Sequence, residues 1–274
     1  MSHRNERIAW QVSICAVWVF ALLILWATCT QSSRSEQIKP RRDLAYGTPT
    51  PDFVERVGYV AGLDGRHRGA RWTLHYLDAK RLVATPHDTE RGSWITDEYL
   101  PREFRQTAAD HRGTDYDVGH LVPAADCLWD HGAFHETFLL SNTAPQAARM
   151  NRGIWRTLEK HIRGLAKDSQ VWCATGTIFG PSRLVPISVE PPAGLKGTIE
   201  WIGPNHVPVP SHFFKCVLVR KGDDLQAMAW AVPNRDEGLK SLDEYRVSVD
   251  QVEHWSGLDL WDGLPDEVEN ELER

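Results

Sequence analysis

The chain has 274 residues, 42% of them hydrophobic and 25% charged, and a formal net charge of −6. That composition is ordinary for a globular protein, and the length allows a membrane segment plus one domain of about 200 residues. The acidic balance excludes a globally basic nucleic-acid binder, so any anion-binding surface has to be local.

Residues 8–29 carry no charge and follow Arg4 and Arg7. As a helix they would span about 33 Å, enough to cross a bilayer core. The exit, Leu25-Trp26-Ala27-Thr28-Cys29-Thr30, suits neither signal peptidase nor a lipoprotein-type cut before Cys29. The expectation is a single N-terminal transmembrane signal-anchor, with a cleaved signal peptide and a secreted domain as the alternative. Arg4 and Arg7 favour an N-terminus held inside, although Lys39, Arg41 and Arg42 on the far side weaken that bias. The domain would then lie outside the cytoplasm: periplasmic, extracellular, or in the mitochondrial intermembrane space of a eukaryote. Residues 1–7 read as a basic flank, 30–52 as a Ser-, Pro-, Thr- and Arg-rich linker, 53–262 as the domain and 263–274 as a loose acidic tail.

Within the domain, Val54–Leu63 and Arg71–Leu77 read as short strands around a glycine-containing turn at 64–69. Asp115–Pro123 ends a strand and enters a loop, because proline cannot continue a ladder. A long helix is expected from Pro145 to about Ala166. Val171–Thr177, Phe213–Val219 and Gln226–Val232 read as strands, and Leu242–Tyr245 and Val249–Ser256 as short helices. Blocks of strands broken by one long helix fit an α+β domain. Cys127, Cys173 and Cys216 have no metal-ligand spacing and read as buried free thiols.

At 100° per residue, Ile154, Trp155, Leu158, Ile162 and Leu165 form a core stripe on the long helix. Its flank carries Arg149, Arg152, Arg156, Lys160, Arg163 and Lys167 against the single acid Glu159. This is the local basic patch that the whole-chain charge conceals, and it can hold a polyanion. Asn151 lies near the helix start, where a neutral amide needs a partner. One amide oxygen suits Mg²⁺, which takes few protein ligands and keeps most of its waters.

The second candidate group is His120, in the stretch YDVGHLVPAAD. Gly119 before it permits close backbone approach. Asp117 or a backbone carbonyl could fix one imidazole nitrogen and leave the other as a base.

Three motifs in order carry a resemblance: Asp117-Val118-Gly119-His120, then Ser141-Asn142-Thr143-Ala144-Pro145-Gln146, then Asn151-Arg152-Gly153-Ile154-Trp155 with Glu159. Together they resemble the DNA/RNA non-specific endonuclease family, the ββα-metal (His-Me finger) nucleases. Arg68-Gly69-Ala70-Arg71-Trp72, the stretch from Gly203 to Lys215 and Val232-Pro233-Asn234 extend the likeness from about Phe53 to Trp261.

The resemblance implies an α+β fold of the ββα-metal type, with a central antiparallel sheet and flanking helices. It implies a metal-dependent endonuclease that cuts DNA and RNA without sequence preference, leaving 5′-phosphate and 3′-hydroxyl ends. His120 would be the general base, and Asn151 would hold Mg²⁺, with Mn²⁺ as a substitute. Glu159 would order the water around the metal, and Asn142 would orient His120 or support the site. Arg163, Arg152 and Gln146 would bind substrate, with Asp117 and Gly119 supporting. A homodimer is a further implication. The chain departs from the family at Val118, where the motif has arginine. Arg66, Arg68 or Arg152 could replace that cation. The rival reading is a catalytically impaired, membrane-anchored nucleic-acid binder. A phosphodiesterase acting on another polyanion is a further alternative. A purely structural membrane protein would leave the His120 and Asn151 pairing unexplained.

Overall fold

The computed structural model describes residues 41–83, 92–179, 199–236, 238 and 240–273. The expected membrane segment 8–29 lies outside the described residues. Among those described, no helix is long and apolar enough to cross a membrane.

Eleven strands can be followed in chain order. The first three are β1 (Val54–Glu55), β2 (Tyr59–Asp64) and β3 (Gly69–Leu77). Next come β4 (Tyr116–His120), β5 (Thr143–Ala147) and β6 (Gln170–Ile178). The last are β7 (Trp201–Ile202), β8 (Val207–Pro208), β9 (His212–Lys221), β10 (Asp224–Pro233) and β11 (Arg246–Val247). Seven of them form one antiparallel sheet in the order β1-β2-β3-β6-β9-β10-β11. Gly222, at φ +63°, opens the two-residue turn that pairs Lys221 with Asp224, a conformation glycine adopts without strain.

Both faces of the sheet are covered, and strand alternation divides its side chains between them. Trp72, Leu74, Tyr76, Trp172, Ala174, Phe214, Cys216 and Leu218 point to one face. There they meet Val249 and Val252 of helix α2 (Val249–Ser256). Leu77, Val171, Cys173, Phe213, Val217 and Val219 point to the other. That face receives Trp155, Leu158 and Ile162 of the long helical segment, so the expected core stripe is buried there. Each fully buried side chain of this size contributes roughly 1.5–3 kcal/mol. Buried polar residues interrupt the second face: Thr73 on β3, Thr175 on β6 and Lys215 on β9 lie in one register row, and His75 lies two residues along β3. Cys127, Cys173 and Cys216 are free and buried, as expected.

The helix does not begin at Pro145. Pro145 lies inside β5, which pairs antiparallel with β4 in a separate two-stranded sheet. Helix begins at Ala148, passes through a π-helical turn at Asn151–Trp155 and continues as α1 (Arg156–Leu165). Asn234 ties this ββα unit to the large sheet: its side chain accepts from Ala147 N–H and donates to the carbonyls of Pro145 and Pro210.

Two segments expected to lie outside the domain pack on it. The Arg42 carbonyl accepts from Trp172 Nε1 at 2.6 Å, and Thr50 Oγ1 accepts from Trp72 Nε1 at 3.0 Å, so residues 42–52 cap buried indoles. The end of the chain, expected as a loose tail, forms helix α3 (Asp266–Leu272), with Leu272 packed on the first face of the sheet.

Gly176, opposite Trp72 and Phe214 in the sheet centre, marks a close approach. A Cβ there would lie 2.5 Å from Phe214 Cζ and 2.6 Å from the Arg71 carbonyl oxygen. Gly176→Ala is expected to destabilise the fold by about 1–3 kcal/mol, measured as a lower urea midpoint with an unchanged slope.

Candidate active site

β4 delivers His120, the π-helical turn delivers Asn151, and α1 delivers Glu159 and Arg163. All four line one cleft of about 420 Å³ together with Pro123, Arg152, Arg156 and Lys160. π-helical turns inserted in an α-helix concentrate at functional sites. Here the widened turn lets the Arg156 N–H reach the Asn151 carbonyl, five residues back.

Asp117 fixes the start of this helix. Asn151 Nδ2 donates to its Oδ2 at 2.9 Å, and Arg152 grips both carboxylate oxygens, at 2.9 and 2.5 Å. The donation commits the amide nitrogen, so Oδ1 is the Asn151 atom left for the cleft. The Asp117 carboxylate, expected with a backbone carbonyl as the alternative to orient the imidazole, serves Asn151 and Arg152. The His120 ring lies instead among aromatic rings, with centroids 4.8 Å from Trp94 and 5.5 Å from Phe138.

Two expected site residues sit behind the cleft. Gln146, expected to bind substrate, is 0% exposed and does not line the cleft. It lies over Gly119, where a Cβ would come within 2.1 Å of its Cδ, and its Nε2 donates weakly to the His120 carbonyl at 3.4 Å. Gly119 is therefore required by the side chain that fills the space beneath the catalytic strand. Asn142 is also buried. Its Oδ1 accepts from Val122 N–H and its Nδ2 donates to the carbonyls of Val122 and Thr137, which clamps the loop that leaves His120.

The cations that line the cleft differ in part from those expected to bind substrate. Arg163 is held from behind by Asp126, whose other oxygen accepts from His75 Nε2 at 3.0 Å. Burial works against the Asp126 carboxylate, but contacts with His75 and Arg163 outweigh it and hold it below the ordinary range. Burial lowers His75 below its usual value, so it serves as a neutral donor and Arg163 is the charged partner. Arg66 and Arg68 do not line the cleft: Arg66 pairs with Asp64, and Arg68 donates to the Glu103 carbonyl. Arg156 and Lys160 do line it.

Sequence reasoning missed His75, Asp126 and Lys215. Lys215 is 1% exposed. Its Nζ donates to Thr175 Oγ1 at 2.8 Å and to the Leu121 carbonyl at 3.2 Å, and it sits 4.9 Å from the Trp155 ring centroid. A usable signal existed: a lysine interrupts the apolar alternation of Phe213, Val217 and Val219.

Glu159 is half-buried in the cleft. Burial raises its carboxyl from 4.5 to about 7, Lys215 opposes the rise, and Asp126 adds to it. The oxygen donors of Asn151 and Glu159 suit a hard divalent cation rather than a thiophilic one.

Comparison with known proteins gives a consistent picture. The model for the family described as DNA/RNA non-specific endonuclease matches residues 43–267. Human "Endonuclease G, mitochondrial" is 34% identical over 220 residues, covering 78% of this chain and 71% of that protein. Nuclease C1 of Cunninghamella echinulata var. echinulata is 35% identical over 229 residues, covering 81% of this chain and 88% of that one. "Mitochondrial nuclease" of Saccharomyces cerevisiae is 30% identical over 245 residues, covering 85% and 73%. A chain in the crystal structure of the EndoG/EndoGI complex superposes with a TM-score of 0.72 at 29% identity, covering 82% of this chain and 91% of that one.

The raised Glu159 carboxyl has a consequence for stability. The folded chain keeps this proton up to about pH 7, whereas the unfolded chain loses it near 4.5. The native state therefore binds more protons between those values, so stability falls as pH rises through that window and the loss persists above it. Glu159→Gln removes the penalty. It is expected to unfold about 1–3 kcal/mol harder than wild type near pH 8 and no harder near pH 4, read by denaturant melts without divalent metal.

Proposed function

This chain belongs to the DNA/RNA non-specific endonuclease family, and on that premise we propose that its cleft hydrolyses phosphodiester bonds of DNA and RNA, with His120 as base and Asn151 as metal ligand. The observation that carries the reading is the convergence of His120, Asn151, Glu159 and Arg163 on one cleft from three separate elements.

His120 takes a proton from a water in line with the scissile phosphorus. The water oxygen bonds to phosphorus, the bond to the 3′ oxygen breaks, and that oxygen takes up a proton from solvent. The ends are a 5′-phosphate and a 3′-hydroxyl. Asn151 Oδ1 would hold Mg²⁺, or Mn²⁺ in its place, and Glu159 would order water beside it. When bound, the cation supplies charge stabilisation as negative charge develops. Arg163, braced by Asp126, grips phosphate with a guanidinium fork. Arg152, Arg156 and Lys160 extend the positive surface along the backbone. Contacts confined to phosphate ignore base and sugar, which accounts for cutting both nucleic acids.

Val118 removes one cation from the family pattern, and it is the observation that favours the second reading, a binder that does not cut. Three cleft cations on the neighbouring helix offset it. Human endonuclease G and the yeast nuclease are mitochondrial by name. We extend to this chain a mitochondrial or other compartment separate from the host's own chromosomes, reached through the uncharged run 8–29 as anchor or cleaved signal.

Supercoiled plasmid and single-stranded RNA, each with Mg²⁺ or with EDTA, test the assignment. Wild type is expected to cut both with Mg²⁺ and neither with EDTA. His120→Ala and Asn151→Ala are each expected to lose at least about a hundredfold. Binding without cutting in wild type would replace this reading with the binder. Arg156→Ala and Lys160→Ala are expected to raise KM several-fold while leaving kcat nearly unchanged, and to flatten the salt dependence of binding.

A further inference from the structure

Helix α2 and the end of helix α3 carry a second cluster of oxygen donors on the face of the sheet opposite the cleft. One carboxylate oxygen from each of Asp250, Glu253 and Glu273 lies within 4.8 Å of the other two. Asp250 and Glu253 are one helical turn apart on α2. Glu273 follows α3, and its carbonyl accepts from the Asp250 N–H at 3.2 Å, which brings the two segments together.

An acidic cluster on a surface needs no ion, but this one is not simply on the surface. Glu273 is only 6% exposed, and its Oε1 is fully buried with no hydrogen-bond partner. Glu269, half-buried beside it, has a second buried Oε1 without a partner. Glu253 spends one oxygen on the Leu260 N–H at 2.6 Å. A buried acceptor without a donor is costly, and among other buried acids it is costlier still. No lysine or arginine among the described residues is ion-paired with these carboxylates. Burial, together with mutual repulsion, raises Glu273 to about 8 and Glu253 to about 7.

We propose that Asp250, Glu253 and Glu273 form a site for a hard divalent cation, calcium by its tolerance of irregular carboxylate geometry, which fastens helix α3 to helix α2. Carboxylates alone select against zinc, which takes nitrogen and sulfur donors. Calcium takes about six to eight oxygen ligands in flexible geometry, whereas magnesium demands a near-ideal octahedron and gives up its waters reluctantly. The cation supplies the missing partner of Glu273 and converts repulsion between the two helices into a crosslink. The site is independent of the nuclease cleft, so it stands or falls without that reading.

The test uses the full chain carrying Asn151→Ala, which removes the cleft ligand, stripped of metal with a chelator. Calcium chloride is titrated by calorimetry and thermal melting, with and without the added pair Glu253→Gln and Glu273→Gln. The expected result is one calcium per chain and a rise in Tm of about 3 °C or more at saturation. The double substitution should abolish both. Because it relieves repulsion, it should melt no lower than its parent without metal, so loss of binding would not reflect unfolding. Absence of binding in the Asn151→Ala chain, or a calcium response that survives the double substitution, would overturn the proposal.

Discussion

The cleft rests on a charge buried in the sheet. Lys215 occupies a row that strand alternation otherwise fills with Phe213, Val217 and Val219, and burying an ammonium there is costly unless its donors are used. Thr175 and the Leu121 carbonyl take two of them, and the Trp155 ring faces the charge. Each partner ties Lys215 to a different piece of the site. Leu121 follows His120, Trp155 closes the π-helical turn that starts with Asn151, and Thr175 belongs to the sheet beneath. A single buried side chain thus registers the His120 strand, the Asn151 turn and the scaffold against one another. It also opposes the burial that would otherwise push the Glu159 proton higher still.

A second layer of carboxylates sets the positions of the cleft's own groups. Asp117 holds the Asn151 amide and Arg152, and Asp126 holds Arg163. In both cases an acid turned away from the substrate fixes a group turned toward it, so the cleft keeps its positive lining without leaving long side chains to wander. This arrangement reconciles an acidic protein with a polyanionic substrate: the acids near the cleft are consumed behind it, and Glu159 is the acid that remains in it. It also bears on Val118. The motif arginine would have come from the strand, while this chain draws its phosphate-facing charge from successive turns of α1, where Arg156, Lys160 and Arg163 recur at helical spacing.

Much of this was legible in the sequence, and the failures have physical causes. The strands of the large sheet and the stripe Trp155, Leu158, Ile162 follow from periodicity, and the motif spacing located His120, Asn151 and Glu159. The start of the helix was misplaced because Pro145 is as acceptable in an edge strand as at a helix N-terminus, and local pattern does not separate the two. Gln146 was taken as a substrate ligand because motif membership says nothing about which side of a strand a residue faces. Gln146 pairs directly with Asp117 and packs over Gly119, on the face of the β4–β5 pair opposite His120. His75, Asp126 and Lys215 were missed because they are far apart in sequence: two lie on separate strands and Asp126 in the turn after His120, and only tertiary packing brings them together. The stretches 42–52 and 263–274 look like linker and tail by composition, yet each supplies a few specific contacts to buried indoles or to α2. A handful of such contacts does not change average polarity.

The same logic separates what makes the site active from what makes it indiscriminate. Activity needs three elements brought to one point, and the buried Lys215 and Asp126 contacts enforce that convergence from below. The basic flank of α1 brings cations to the cleft, and cation contacts to a nucleic-acid backbone carry no base information. Substitutions on the flank should therefore move affinity, while substitutions in the seam should move geometry. The two functions can drift separately in related chains because they reside on opposite sides of one helix: the cations on its open flank, the fixed contacts on the side that Trp155, Leu158 and Ile162 press into the sheet.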